Sequence, residues 1–261
     1  RTLADGRLLR LYGSIFALHS MLAALFLVIP LFLLRDSALG GANEWMFYLP
    51  VLALGLAFML PLVIYAEGRG RVKPVALGAV VALGAAALAL GFLPASIFAL
   101  GIVLIVFFAA FTLMEAVLPA LVSRLARPDA RGTALGFYST SQFLGIFVGG
   151  ALGGWLQGHF GPTGLCIFVA ALALGWLPLV ATLHLPPALA SRMLAISVPD
   201  AAAAHDLARR FEAVAGVEEA LVFADDGVAY LRVDRERLDE AALAGVPTGT
   251  DAAPIARDPS R

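Results

Sequence analysis

Six apolar runs dominate the sequence, at about 11–34, 45–66, 74–93, 97–122, 134–157 and 163–185. A hydrocarbon core ~30 Å thick needs about 20 apolar residues in a helix. Each run meets that length, and the only formal charge across all six is Glu115. One such run would suit the buried core helix of a soluble protein. Six in succession do not, and a cleavable leader accounts for only one apolar stretch. Lipid offers no hydrogen-bond partners to a bare backbone, so each run is expected to cross as a helix.

Composition agrees. Of the 261 residues 61% are apolar and 14% are charged, against about 25% charged in an average soluble domain. Disorder needs the opposite balance. The net charge of −1 gives no sign of nucleic-acid binding. Cys166 is the sole cysteine and cannot form an internal disulfide. The charges divide unevenly: residues 1–185 hold 10 basic and 6 acidic groups, a net of +4, and residues 186–261 hold 8 and 13, a net of −5. This predicts a six-span transmembrane bundle over 1–187, a small water-facing domain over 188–243 and a disordered end over 244–261. The chain opens on Arg1 rather than methionine, which points to a piece of a longer protein.

The loops give an orientation. Arg1, Arg7 and Arg10 precede the first span, Arg69, Arg71 and Lys73 follow the second, and Arg124, Arg127 and Arg131 follow the fourth. The opposite loops carry only Arg35. Nine basic residues against one predict that both chain ends face the cytoplasm. Trp45 and Tyr48 then lie at the outer end of the second span, where aromatic belts form. Pro186-Pro187 is expected to stop the last helix.

The tail reads as alternating elements. Leu194, Ile196 and Val198 share one face of a strand expected over Met193–Val198. Asp200 is placed to cap a helix over 201–215 that Gly216 closes. Ala220–Ala224 and Val228–Val233 flank Asp225-Asp226-Gly227, a hairpin signal. A short helix from about Arg235 to Leu243 completes a strand, helix, strand, strand order, the beginning of a ferredoxin-like sheet. The tail contains no cysteine and only His205, too few ligands for a metal site.

Polar groups at membrane depth are costly and mark function. His19 lies some way into the first span, Gln142 into the fifth, and Glu115 is set back from the end of the fourth. At 1.5 Å per residue all three lie roughly 10–12 Å from the same membrane face, which predicts one polar layer. Glu115 suits proton coupling, a structural anchor or substrate contact. His19 suits a substrate or proton role, or a satisfied interior position. Tyr138, Ser139, Thr140, Ser141 and Gln142 give the fifth span a polar start, lining a cavity or bonding a neighbouring helix. Gly145, Gly149 and Gly153, and likewise Gly150 and Gly154, recur every four residues, a small-residue ridge that admits a close helix. Pro30, Pro61 and Pro119 are expected to kink their helices.

The run Glu115-Ala-Val-Leu-Pro119-Ala-Leu-Val-Ser123, then Arg131-Gly-Thr-Ala-Leu-Gly136 and Tyr138-Ser-Thr-Ser-Gln142-Phe-Leu-Gly145, resembles the tenth and eleventh helices of major facilitator superfamily transporters. Glu67-Gly-Arg69-Gly-Arg71-Val-Lys73 is similar to a loosened second copy of that family's charged loop motif. Gly216-Val-Glu-Glu-Ala220 and Ala229-Tyr-Leu-Arg-Val-Asp234 resemble the cytoplasmic ferredoxin-like domain that ends the YajR-type proton-driven drug efflux members. The resemblance implies a six-helix half of the family's fold, helices seven to twelve, all α, followed by a small α+β ferredoxin-like domain. It implies multi-pass residence in a bacterial inner membrane and export of a small molecule against protons by alternating access, with no cofactor. Glu67, Arg69 and Arg71 would be the remnant of a cytoplasmic latch. The bilayer, protons, a small-molecule substrate and a missing N-terminal six-helix half, from the same chain or a second subunit, are the implied partners. No transport is expected of the half alone. The other reading is a membrane-anchored sensory or binding protein whose cytoplasmic ferredoxin-like tail binds a ligand or partner. Neither Gly-x-Ser-x-Gly nor His-Glu-x-x-His occurs, and no enzyme is expected.

Overall fold

The computed structural model describes residues 5–34, 44–92, 96–127, 130–183, 189–224, 226–234 and 237–248. Arg1, Arg35, Pro186-Pro187, Asp225 and Arg235, all used above, lie outside them. The chain divides into two units, Arg1–Pro186 and Pro187–Arg261.

The first unit is helical: α1 Gly6–Leu25, α2 Ile29–Leu34, α3 Trp45–Gly68, α4 Val72–Phe92, α5 Ile97–Leu125 and α6 Arg131–Ala181. α1 and α2 share the first apolar stretch, Gly6–Leu33. The break between them follows from Pro30, whose ring clashes with the carbonyl four residues back and whose nitrogen donates nothing. Leu27 and Val28 instead bond the carbonyls three residues back, those of Ala24 and Leu25. Pro61 and Pro119 sit inside helices that run on through them.

α6 counts 51 residues, about 75 Å at 1.5 Å per residue, more than twice the bilayer core. It is two helical legs. Gly161 breaks it at φ 68° and ψ −177°, a conformation that favours glycine. Packing gives the direction of each leg. Gly145, Gly149 and Gly153 lie against Phe16, Ser20 and Ala24 in rising order, so the first leg runs parallel to α1. Gly84 and Gly91 of α4 lie against Ala173 and Cys166, in falling order, so the second leg is antiparallel to α4. One small cleft gathers Ser14 of α1, Val72 of α4, Leu121 of α5 and Val180 of α6. The starts of α1 and α4 and the ends of α5 and α6 therefore share one end of the bundle. Among the described residues five helices are long and apolar enough to cross a membrane, and the break at Gly161 divides the last of them into two legs.

The core is built from α1, α4, α5 and the second leg of α6, with Leu18, Met21, Leu83, Phe107, Met114 and Trp176 fully buried. α3 differs. Leu52, Leu56, Phe58, Leu60 and Ile64 are exposed, as are Phe143, Phe147 and Trp155 on the first leg of α6. Such surface costs nothing against lipid tails, which are as apolar as leucine.

The second unit comprises β1 Leu189–Ala195, α7 Ala201–Glu212, β2 Val217–Phe223, β3 Val228–Asp234 and α8 Glu240–Ala244. The sheet is antiparallel in the order β1-β3-β2. Phe211 and Leu207 of α7 share a core with Ala229, Leu231 and Val233 of β3. Several boundaries differ from the sequence expectation, β1 starting at Leu189 rather than Met193 and β2 at Val217 rather than Ala220. β1 ends at Ala195, not Val198, because its partner β3 begins at Val228, opposite Ala195; Ile196 is nevertheless buried. α7 stops at Glu212 rather than 215, and Gly216 (φ 88°) serves the turn into β2. α8 starts at Glu240, where the Asp239 carboxylate accepts from the Ala242 N–H at 2.9 Å. Order extends past 244: Val246 packs on the core and the Thr248 carbonyl accepts from the Ser197 N–H at 2.8 Å. Asp200 caps α7, accepting from Ala203 N–H at 2.8 Å.

Candidate functional site

The three polar residues at membrane depth meet. His19, from the middle of α1, is 4% exposed. Its Nε2 lies 2.8 Å from Gln142 Nε2 on the first leg of α6 and 3.5 Å from Glu115 Oε1 on α5. The ring rests edge-on against Phe111, one turn before Glu115, with centroids 5.5 Å apart. Two helices would not normally come so close with a polar pair between them. Glycine permits it here: a Cβ at Gly145 would stand 2.4 Å from the Phe16 carbonyl oxygen, and one at Gly149 would stand 2.3 Å from that of Ser20. Ser20 seals the contact, its hydroxyl 2.8 Å from the Phe16 carbonyl and 3.0 Å from that of Gly145.

The geometry constrains the protons. With the Gln142 amide nitrogen facing it, His19 Nε2 acts as the acceptor in the tautomer that carries its hydrogen on Nδ1. A proton on Nε2 turns that nitrogen into a donor. The Gln142 amide must then present its oxygen, and Glu115 Oε1 stands ready to accept; this oxygen is buried and takes no hydrogen bond among the described residues. The Glu115 side chain is 35% exposed against 5% for His19. The carboxylate therefore bridges the buried imidazole and the open face of the bundle.

Tyr138 is buried one turn before Gln142, and among the described residues no hydrogen bond joins it to the three. Ser139 and Ser141 likewise stay outside the cluster, and Thr140 bonds back to the Gly136 carbonyl at 3.0 Å. Of the two glycine ridges only Gly145, Gly149 and Gly153 meet a helix. Gly150 and Gly154 face open space, with no atom within 4 Å of a built Cβ, because one residue along a helix turns the side chain by about 100°.

At the α3–α4 loop, Glu67 pairs with Arg124 at the end of α5 at 3.1 Å. Arg69 and Arg71 both turn to Tyr65: the first lies 5.1 Å from its ring centroid, and the second donates to its hydroxyl at 3.3 Å. Gly70 (φ 64°) makes the tight turn that brings both guanidinium groups back over the helix end. Arg124, Tyr65 and Ser20 are thus functional neighbours that the sequence did not single out. Arg124 was visible only as a loop charge, and Tyr65 by its position four residues before Arg69. Ser20 gave no signal beyond adjoining His19.

The family model described as Major Facilitator Superfamily matches residues 11–204. The inner membrane transport protein YajR of Escherichia coli (strain K12) is 35% identical over 235 residues, which is 90% of this chain and 51% of that protein. An uncharacterized transporter of Buchnera aphidicola subsp. Baizongia pistaciae (strain Bp) is 37% identical over 71 residues, 27% of this chain and 18% of its own length. The chain spans about half the length of YajR. Both relatives are named as transporters, and neither as an enzyme.

Proposed function

Because this multi-pass membrane chain belongs to the Major Facilitator Superfamily, we propose that it is the C-terminal half, helices seven to twelve, of a proton-coupled exporter of small drug-type molecules. It works by alternating access in an inner membrane, with both termini on the cytoplasmic side. The N-terminal half completes the substrate cavity, which in this class of fold lies between repeats near the midplane.

The observation that carries the reading is the contact of His19 with both Gln142 and Glu115. A carboxylate with one edge open to the cavity and one against a buried imidazole can take a proton from one side and pass on its effect as a change of hydrogen-bond direction. That change reaches α1, α5 and α6 together, the kind of bistable element that two sites can bias. Tyr138 and the open edge of Glu115 line the substrate side in this scheme. Glu67–Arg124 is the latch, a pair across α3 and α5 that opens and closes with the cytoplasmic end. The basic loops support the orientation through the positive-inside rule.

The tail is proposed to be a ferredoxin-like domain. The β1-β3-β2 order is its first three strands. The Ser197 N–H bonds the Thr248 carbonyl just past the end of β1, the strand beside which that fold carries its fourth.

The test uses the complete transporter, both halves present, in proteoliposomes under an imposed pH gradient. Glu115→Gln keeps the size and the hydrogen-bonding capacity and removes the titration. Proton-driven export is expected to fall at least tenfold while gradient-independent exchange of substrate survives. Undiminished proton-driven export by Glu115→Gln refutes the coupling role.

A further inference from the structure

A second feature lies on the opposite side of α5. Phe58 and Leu62 of α3, Val75, Gly78 and Ala82 of α4 and the stretch Ile105–Leu113 of α5 enclose a groove of about 440 Å³, with no charged residue in its lining. That is within the ~300–1,000 Å³ typical of small-ligand clefts. Leu113 lines it, and Glu115 two positions on points about 200° away around the helix, so the groove is separate from the His19 cluster. It opens outward, since Phe58, Leu62 and Val106 are exposed. At Gly78 a built Cβ would meet no atom within 4 Å, so the groove is hollow at its middle.

One end of the groove carries charge. Phe58, Leu62 and Tyr65 follow one another on one face of α3 at spacings of four and three, and Arg71, Val75, Gly78 and Ala82 do so at four, three and four from the loop into α4. The two apolar walls therefore run directly into Tyr65 and Arg71, with Arg69 stacked on the tyrosine ring. Glu67, the nearest carboxylate in sequence, is turned away to Arg124. Among the described residues neither Arg69 nor Arg71 pairs with a carboxylate. Two guanidinium groups gathered on one tyrosine, with no acidic partner among the described residues, are the kind of donors that bind phosphate.

From this juxtaposition we propose that the α3–α4–α5 groove is a binding site for an anionic phospholipid. An acyl chain fills the apolar groove past Gly78, and the phosphate headgroup is held by Arg69 and Arg71. Charge complementarity selects the occupant. A zwitterionic lipid satisfies the groove equally but brings no net charge to the arginines. A free phosphate satisfies the arginines and leaves the groove empty.

Native mass spectrometry of the detergent-purified full chain, with phosphatidylglycerol or phosphatidylethanolamine added at equal concentration, tests this. Wild type is expected to retain one phosphatidylglycerol about tenfold better than phosphatidylethanolamine. Gly78→Leu, whose Cβ would meet no atom within 4 Å and whose longer side chain projects into the groove, is expected to lose that bound lipid. The double variant Arg69→Gln, Arg71→Gln is expected to bind the two lipids alike. Gly175→Leu, on the second leg of α6 and equally free of neighbours, is the control and keeps the preference. A folded Gly78→Leu protein, judged by helical circular dichroism, that retains phosphatidylglycerol like wild type overturns the proposal. So does equal retention of the two lipids by wild type, or displacement of the bound lipid by inorganic phosphate.

Discussion

Replacing Gly149 with alanine adds one methyl group where α1 and the first leg of α6 touch through their backbones. The new Cβ would stand 2.3 Å from the Ser20 carbonyl oxygen and 2.5 Å from its Cα, where ordinary contact begins at 3.4 Å. The difference, 3.4 minus 2.3, is 1.1 Å, and no rotamer can absorb it because the obstructing atoms are backbone. The helices must separate by about that much. The Ser20 hydroxyl then moves from 3.0 Å to about 4 Å from the Gly145 carbonyl, outside hydrogen-bond range. Overpacking costs about 1–3 kcal/mol, and an interhelical hydrogen bond in a membrane is worth about 0.6 kcal/mol. Alanine returns about 0.5–1 kcal/mol of helix propensity, leaving a net loss of about 1–3 kcal/mol. Gly150→Ala is the internal control. Its Cβ meets nothing within 4 Å, so only the propensity gain of about 0.5–1 kcal/mol remains. Equilibrium unfolding in mixed micelles, followed by tryptophan emission, should separate the two variants by about 2–4 kcal/mol, summing these terms. Equal stability of the two refutes the close-packing argument.

Three further outcomes follow from the geometry. Glu67→Gln, at a pair whose side chains are 50% and 45% exposed, should cost under about 1 kcal/mol in unfolding experiments. It should nevertheless alter the rate of substrate exchange by the complete transporter, an effect reversed when the charges are swapped between positions 67 and 124. Gly216→Ala should destabilise the tail by at least 1–2 kcal/mol or so, since φ is 88° and the Cβ would stand 2.4 Å from Leu238 Cα. Hydrogen exchange should then quicken in β2 and β3 and not in the spans. The Arg7 side chain, and after it the Arg7 backbone N–H, hold the Asp5 carboxyl below the usual carboxylate range. A depressed carboxylate stabilises above its unfolded value of about 3.9 and loses that contribution as pH falls through its folded value. Protection of the Arg7 amide, 2.8 Å from Asp5 Oδ1, should therefore decline below about pH 4 in wild type and become independent of pH in Asp5→Asn.

What the sequence made legible was whatever depends on distance along one helix. The spans follow from run length. The depths of His19, Gln142 and Glu115 follow from counting residues, and those depths brought three distant positions into one contact. What it left open depends on rotation and on pairing. Gly149 and Gly150 look alike in a list of small residues, yet 100° of helix turn puts one against Ser20 and the other in open space. The Glu67–Arg124 pair joins positions 57 apart, and no local spacing encodes such a partner. The start of β1 failed for the same reason. Leu189–Arg192 carries no apolar alternation, and only pairing with Leu231–Asp234 makes it a strand.

The glycine ridge and the polar cluster, read separately from the sequence, are one arrangement. Gln142 precedes Gly145 by one turn, and His19 adjoins Ser20, the residue against which Gly149 rests. Were α1 and α6 held at the usual 8–10 Å between axes, a glutamine amide would stand further from the ring and water would fill the gap. Glycine removes that gap, so the 2.8 Å contact forms against the buried His19 ring, where a hydrogen bond is strong and an unpaired polar group is expensive. The same ridge makes the contact responsive. The glycine surface carries no side-chain knobs, and Glu115 approaches from a third helix with an oxygen that takes no hydrogen bond among the described residues. In the proposed coupling scheme, a proton that reverses the His19–Gln142 bond would act one turn from the point where Gly145 and Gly149 bring α1 and the first leg of α6 into backbone contact, so a change in hydrogen bonding there would bear directly on the spacing of the two helices.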